Sequence, residues 1–238
     1  TLDGGADNDE MKGGSGNDRY IVDSVADVID EEGNTDVADE VRATISVDIS
    51  VLGSGAVENI VLQGSGAIDA TGNAGANKIY GNSGDNVLDG GLGDDILLGG
   101  AGNDTYVVDS LADVIDEQGN KDTGDEIRTS AFSIVLAGSG GAIENATLLG
   151  ADDLDITGTS ANNRLIGNAG VNTLIGANGN DYLDGGAGDD IIKGGAGNDM
   201  YVIDSTGDVI DEQGNLDSSD AVSISFSVNL SILANGAV

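Results

Sequence analysis

Apolar residues recur along this chain at every ninth position: Met11 and Tyr20, then Ile79, Leu88, Leu97 and Tyr106, then Leu165, Leu174, Leu183, Ile192 and Tyr201. Each stands eighth in a nine-residue unit that opens with Gly. The units start at Gly4 and Gly13 in a first block, at Gly72, Gly81, Gly90 and Gly99 in a second, and at Gly158, Gly167, Gly176, Gly185 and Gly194 in a third. A helical reading fails, because Gly falling every few residues would cost about 1 kcal/mol each in a helix interior. Three-residue strands joined by six-residue turns fit the spacing, with the central apolar side chain of each strand turned inward.

A longer period encloses the short one. The string G-N-D-x-Y-hydrophobic-hydrophobic-D-S runs from Gly16 to Ser24, from Gly102 to Ser110 and, with Met before the Tyr, from Gly197 to Ser205. This divides the chain into a block ending at residue 21, a spacer over 22–71, a four-unit block over 72–107, a spacer over 108–157, a five-unit block over 158–202 and the start of a third spacer over 203–238. Each spacer opens with a near-identical segment, DVIDEEGN at Asp27 and DVIDEQGN at Asp113 and Asp208, and continues in strand-like alternation, as in Val41 to Val47. We read the spacers as further solenoid rungs with longer loops, since an isolated strand could not satisfy its own backbone. A flexible linker is the alternative.

Charge changes the picture more than length does. Among 238 residues, 43 Asp and Glu face 8 Lys and Arg, a formal net charge of −35. Nucleic acid is repelled, insertion into a membrane is not expected, and cations are the natural partner. Aromatics at 3% and dominant acids would on composition alone favour a disordered chain, but the 40 Gly recur at fixed spacing and there is no Pro. With no Cys and no His, disulfides, thiolate or imidazole metal sites and Ser/His or Cys/His nucleophile pairs cannot be built, so no enzyme is expected. No run of 18 apolar residues appears and no Sec-type signal opens the sequence. Both ends fall inside repeats, which suggests a segment of something longer.

The units at Gly90-Gly91-Leu92-Gly93-Asp94-Asp95-Ile96-Leu97-Leu98 and Gly99 to Val107 read as G-G-x-G-x-D-x-U-x, with U a large apolar residue. This resembles the calcium-binding nonapeptide of the RTX (hemolysin-type) family. The resemblance implies an all-β fold, a parallel β-roll or β-helix (a β-solenoid), with calcium as the cofactor held by Gly/Asp-rich turns. Gly90, Gly91, Gly93, Gly99, Gly100, Gly102, Gly185, Gly186, Gly188, Gly194, Gly195 and Gly197 would let the turns aim carbonyl oxygens at the ion. Family units turn the chain through half a rung, so an ion bridges each turn and the next but one. Sixth-position carboxylates are then Asp9, Asp18, Asp95, Asp104, Asp181, Asp190 and Asp199, and Asn77, Asn86, Asn163 and Asn172 supply uncharged oxygens for weaker sites. Asp7 and Ala161 depart from Gly at the fourth position, and Asn73, Asn82, Thr159, Asn168 and Ala177 at the second.

Counting on by nine past the motif lands on Asp27 and Asp36, on Asp113 and Asp122, and on Asp208 and Asp217. The count predicts that the ladder continues into the spacers, pairing Asp9 with Asp27, Asp18 with Asp36, Asp95 with Asp113, Asp104 with Asp122, Asp190 with Asp208 and Asp199 with Asp217, beside Asp181 with Asp199 inside the repeats. Solvated surface acids are the bland alternative. Metal-free, the stacked carboxylates would repel, so folding is expected to follow calcium. The favoured function is a calcium-stabilised segment of a secreted bacterial surface structure, such as a surface layer, sheath, filament or adhesin stalk. The rival is the export and folding module of a secreted RTX enzyme or toxin. Outward apolar residues Val87, Ile96, Leu98, Ile166, Ile175 and Ile191 point to self-association with identical chains, outside the cell or on its surface.

Overall fold

The eighth-position residues make the core. In the computed structural model, which describes residues 1–33, 38–52, 57–119, 122–136, 143–212 and 219–225, all eleven are buried, Met11 being the most accessible at 4%. Among the described residues the chain is all-β apart from a short helix at Ile49–Leu52, and every described strand pairing is parallel, the arrangement of a β-solenoid. It divides into two units, Thr1–Asp125 and Glu126–Val238.

In the first unit one wall stacks the strands Leu2–Asp3, Arg19–Val22, Glu40–Ala43, Asn59–Leu62, Lys78–Tyr80, Ile96–Leu98 and Val114–Ile115. Their register places Tyr20, Val41, Ile60, Ile79, Leu97 and Ile115 in one column. Other strands build a second wall, where Val47, Ala70, Leu88 and Tyr106 form the facing column, and Met11 pairs with Ile29. Side chains from both columns meet inside, so each rung contributes a layer of the core.

The second unit repeats the plan. Ile127, Ala146, Leu165, Leu183, Tyr201 and Val222 align on one wall, and Ile134, Ile156, Leu174, Ile192 and Ile210 on the other. Two strands, Thr173–Asn178 and Ile191–Ala196, run to six residues, longer than the expected three, because Ala177 pairs with Gly195 and Asn178 with Ala196 and the ladder continues into the turn.

The described spacer segments are solenoid rungs, as their alternation predicts: Glu40–Ala43, Asn59–Leu62, Glu126–Thr129 and Asn145–Leu148 all lie within the walls. Among the outward positions, Val87, Ile96 and Ile191 are exposed, and Ile166 and Ile175 are half-buried. Leu98 is buried, contrary to its assignment to the outer surface. Cations are scattered and locally partnered: Lys12 meets Glu10 and Asp30, Arg19 and Arg42 share Glu40, and Arg128 meets Glu126.

Candidate metal centre

Each turn closes over its own sixth residue. A Cβ on Gly90, Gly176 or Gly185 would collide with the carboxylate of Asp95, Asp181 or Asp190, so the first position is Gly because a carboxylate lies across its Cα. At Gly99 and Gly194 the clash would include the hydroxyls of Tyr106 and Tyr201 as well as the Asp104 and Asp199 carboxylates. Gly91 and Gly93 have φ of +83° and +135°, and side chains there would strike the backbone of Asn73 and Gly75 on the stacked rung. Gly100, Gly102, Gly186, Gly188, Gly195 and Gly197 also have positive φ. Asp7 and Ala177 keep positive φ, 91° and 85°, without being Gly.

The sixth-position residues form ladders along the rung edges. The backbone N–H of Asp9 donates to Asp27 Oδ1 (3.1 Å), that of Asp95 to Asp113 (2.9 Å), that of Asp181 to Asp199 (2.8 Å) and that of Asp190 to Asp208 (3.0 Å), each 18 residues on. Asn77, Asn86, Asn163 and Asn172 donate in the same way to Asp95, Asp104, Asp181 and Asp190. This uses Oδ1. The Oδ2 atoms of Asp9, Asp95, Asp104, Asp181 and Asp190 are buried and meet no hydrogen-bond donor.

A buried carboxylate oxygen without a donor is costly, and a hard cation is the partner that removes the cost. Burial pushes the carboxyls of Asp95, Asp104 and Asp190 up to about 6 and that of Asp181 up to about 7. The backbone N–H from the stacked rung pulls the other way, and repulsion from the next Asp of the ladder reinforces the rise.

The Asn turns differ from the expected weaker metal ligands. Asn77 and Asn86 Oδ1 each accept the N–H of their unit's second residue, at 2.8 Å. Their Nδ2 groups donate to main-chain carbonyls of the preceding rung, Asn86 to Ile68 O at 2.6 Å and Asn77 to Glu58 O at 3.3 Å. Asn163 and Asn172 repeat this on Glu144 O (2.8 Å) and Leu154 O (2.6 Å). An amide NH₂ therefore stands where a cation would otherwise draw carbonyls and carboxylate together.

The spacer ladder follows the count of nine for one unit and then slips. Asp104 N–H donates to Asp125 Oδ1 at 2.7 Å, 21 residues on, in place of the expected Asp122. Asp122 instead accepts the N–H of Gly102 (2.9 Å). Asp18 N–H donates to Asp39 and Asp199 N–H to Asp220, also 21 residues on. Asp36 and Asp217 lie outside the described residues. The slip follows the turn at Glu32-Gly33 and Gln118-Gly119, where all four residues have positive φ and the loop is longer by three than a nonapeptide pair.

Two groups of three acids converge at the end of the second block: Asp95, Asp109 and Asp113 on one edge, and Asp104, Glu117 and Asp125 on the other. Asp109, Glu117 and Asp125 were not reached by the count. A local signal marks Asp39, Asp125 and Asp220, because each is followed two residues later by an apolar residue, Val41, Ile127 or Val222, as sixth and eighth positions are in the repeats.

The model of the RTX calcium-binding nonapeptide repeat matches four stretches, residues 1–29, 71–106, 157–192 and 166–201. The first runs past Asp27 into the spacer. No curated protein matches the chain. The donor-less carboxylates of Asp9, Asp95, Asp104, Asp181 and Asp190 all fall within these matches, and the matched stretches, residues 1–29, 71–106 and 157–201, are RTX calcium-binding nonapeptide repeats.

Proposed function

We propose that this chain is a calcium-stabilised structural segment of a secreted bacterial surface protein, folding outside the cell as calcium fills its turns. The observation that carries this reading is the row of buried carboxylate oxygens without donors at Asp9, Asp95, Asp104, Asp181 and Asp190. Asp95 and Asp113, Asp190 and Asp208, and Asp9 and Asp27 would hold the ion with turn carbonyls. Bound there, calcium supplies positive charge between groups that otherwise repel. Extracellular calcium modules bind with Kd of about 10⁻⁴–10⁻³ M, an affinity that leaves such a chain unfolded at low cytosolic calcium and folded at the higher calcium outside. The segment carries no catalytic role in this reading.

Assembly of copies is part of the proposal. Stacked outward residues, Ile96 beside Val114 and Ile191 beside Val209, leave apolar rows exposed on the walls. Circular dichroism in excess chelator should show a largely unordered chain that gains β signal on adding calcium. Full β structure at neutral pH in chelator overturns the reading. Sedimentation at saturating calcium should show concentration-dependent association; a strict monomer overturns the assembly part.

A further inference from the structure

The Asp104 edge ends in an arrangement unlike the nonapeptide pairs. Glu117 takes the first position of its nine-residue count, where the repeats have Gly, and its side chain receives a hydrogen bond from the buried Tyr106 hydroxyl. One carboxylate oxygen from each of Asp104, Glu117 and Asp125 lies within 4.8 Å of the others, and all three residues are buried. Asp104 and Asp125 are 0% exposed, and the Oδ2 of each meets no hydrogen-bond donor. Three enclosed carboxylates at this separation repel strongly unless a cation lies among them.

The Tyr–Glu bond and the Asp–Asp step recur at the other two block ends. Tyr20 donates to Glu31 and Tyr201 to Glu212, with Asp18 on Asp39 and Asp199 on Asp220. At Gly13 a built Cβ would meet the Tyr20 hydroxyl together with the Asp18 and Glu31 carboxylates, so these groups converge on one point there too.

We infer that Asp104, Glu117 and Asp125 form a separate three-carboxylate calcium site, with Tyr106 as a positioning residue that orients Glu117. It rests on the proposed calcium function, and only Asp104 of its ligands belongs to a nonapeptide. More ligand charge than a two-Asp pair makes it a tighter site, filled before the pairs. It also ties Glu117 and Asp125 to the last rung of the block.

Terbium(III) is the probe, because a lanthanide bound near a tyrosine emits when that tyrosine is excited. On the full wild-type chain, tyrosine-sensitised emission should appear at the first equivalents of terbium and be displaced by calcium. E117Q and D125N should each lower that emission and remove one calcium by equilibrium dialysis, whereas D116N, in the exposed turn, should change neither. Y106F should weaken calcium at this site by roughly tenfold by releasing Glu117, as loss of an orienting partner does. Full calcium count and emission in folded E117Q and D125N overturn the site. If those variants fail to fold at any calcium concentration, wild-type protein decides: absence of calcium-displaceable tyrosine-sensitised emission overturns it equally. A wild-type chain that takes up no calcium at all overturns the proposed function instead.

Discussion

At the scale of the residue, one position decides whether a rung needs an ion. Asn86 fills its turn with its own amide, Oδ1 taking the Asn82 N–H and Nδ2 reaching Ile68 O, while Asp104 in the stacked turn keeps an oxygen that nothing satisfies. Asn86→Asp removes a donor from the part-buried Ile68 carbonyl and adds a charge beside Asp104. At the lowest calcium that folds the wild type it should destabilise the chain by roughly 1–3 kcal/mol, the cost of an unsatisfied polar group. In saturating calcium the loss should shrink and dialysis should count one more ion. Unchanged stability at that limiting calcium would contradict the amide's role as the cation's replacement. Ala177 is the opposite kind of site: at φ 85° its Cβ is strained where the pattern has Gly. Relief of the strain, about 1–2 kcal/mol, exceeds the entropy that Gly adds to the unfolded chain, about 0.4–1 kcal/mol. Ala177→Gly should therefore raise the calcium-loaded midpoint in denaturant slightly, and a lowered midpoint would sink that account.

At the scale of the element, the spacer shows what periodicity can and cannot reveal. Asp113 stands 18 residues after Asp95 and meets it, so the count of nine survives one unit past the motif. It then fails at Asp122, because a loop turned by the positive φ of Gln118 and Gly119 adds three residues before the next strand. Counting carries no information about insertions; the Asp-x-apolar pairing of sixth and eighth positions does, and it marks Asp125 with Ile127. The inward column, the parallel rungs and the left-handed glycines were legible, since each follows from one residue type at one position. The role of Glu117 was not, because its partner Tyr106 is 11 residues away across a turn whose path only the fold defines. Two substitutions separate the registers. Asp125→Ala should lose a calcium ion much as Asp113→Ala does, while Asp122→Ala, removing an acceptor for Gly102 N–H, should retain full stoichiometry in ion counting. An ion lost with Asp122→Ala but not with Asp125→Ala would restore the unbroken count.

At the scale of the whole molecule, the metal-free fold and the calcium-loaded fold should respond to pH with opposite signs. In the metal-free fold burial raises Asp95, Asp104 and Asp190 from 3.8 to about 6 and Asp181 to about 7. A carboxyl raised on folding keeps its proton in the folded chain after the unfolded chain has lost it, so the folded state binds more protons over that interval. Stability is then fully present below 3.8 and is lost as pH rises through about 6 to 7. The formal charge of −35 adds diffuse repulsion in the same direction. Calcium reverses this, because the ionised carboxylates are the ligands and protons compete with the ion. In chelator, β structure with a melting transition should therefore appear at pH 5 and be lost at pH 7, as carboxyls raised to about 6 and about 7 require. Melts in saturating calcium should show the reverse order. Ladders that serve only as a solvated acidic surface would give two curves moving together with pH, and that result would remove the coupling between the buried carboxylates, the ion and the fold.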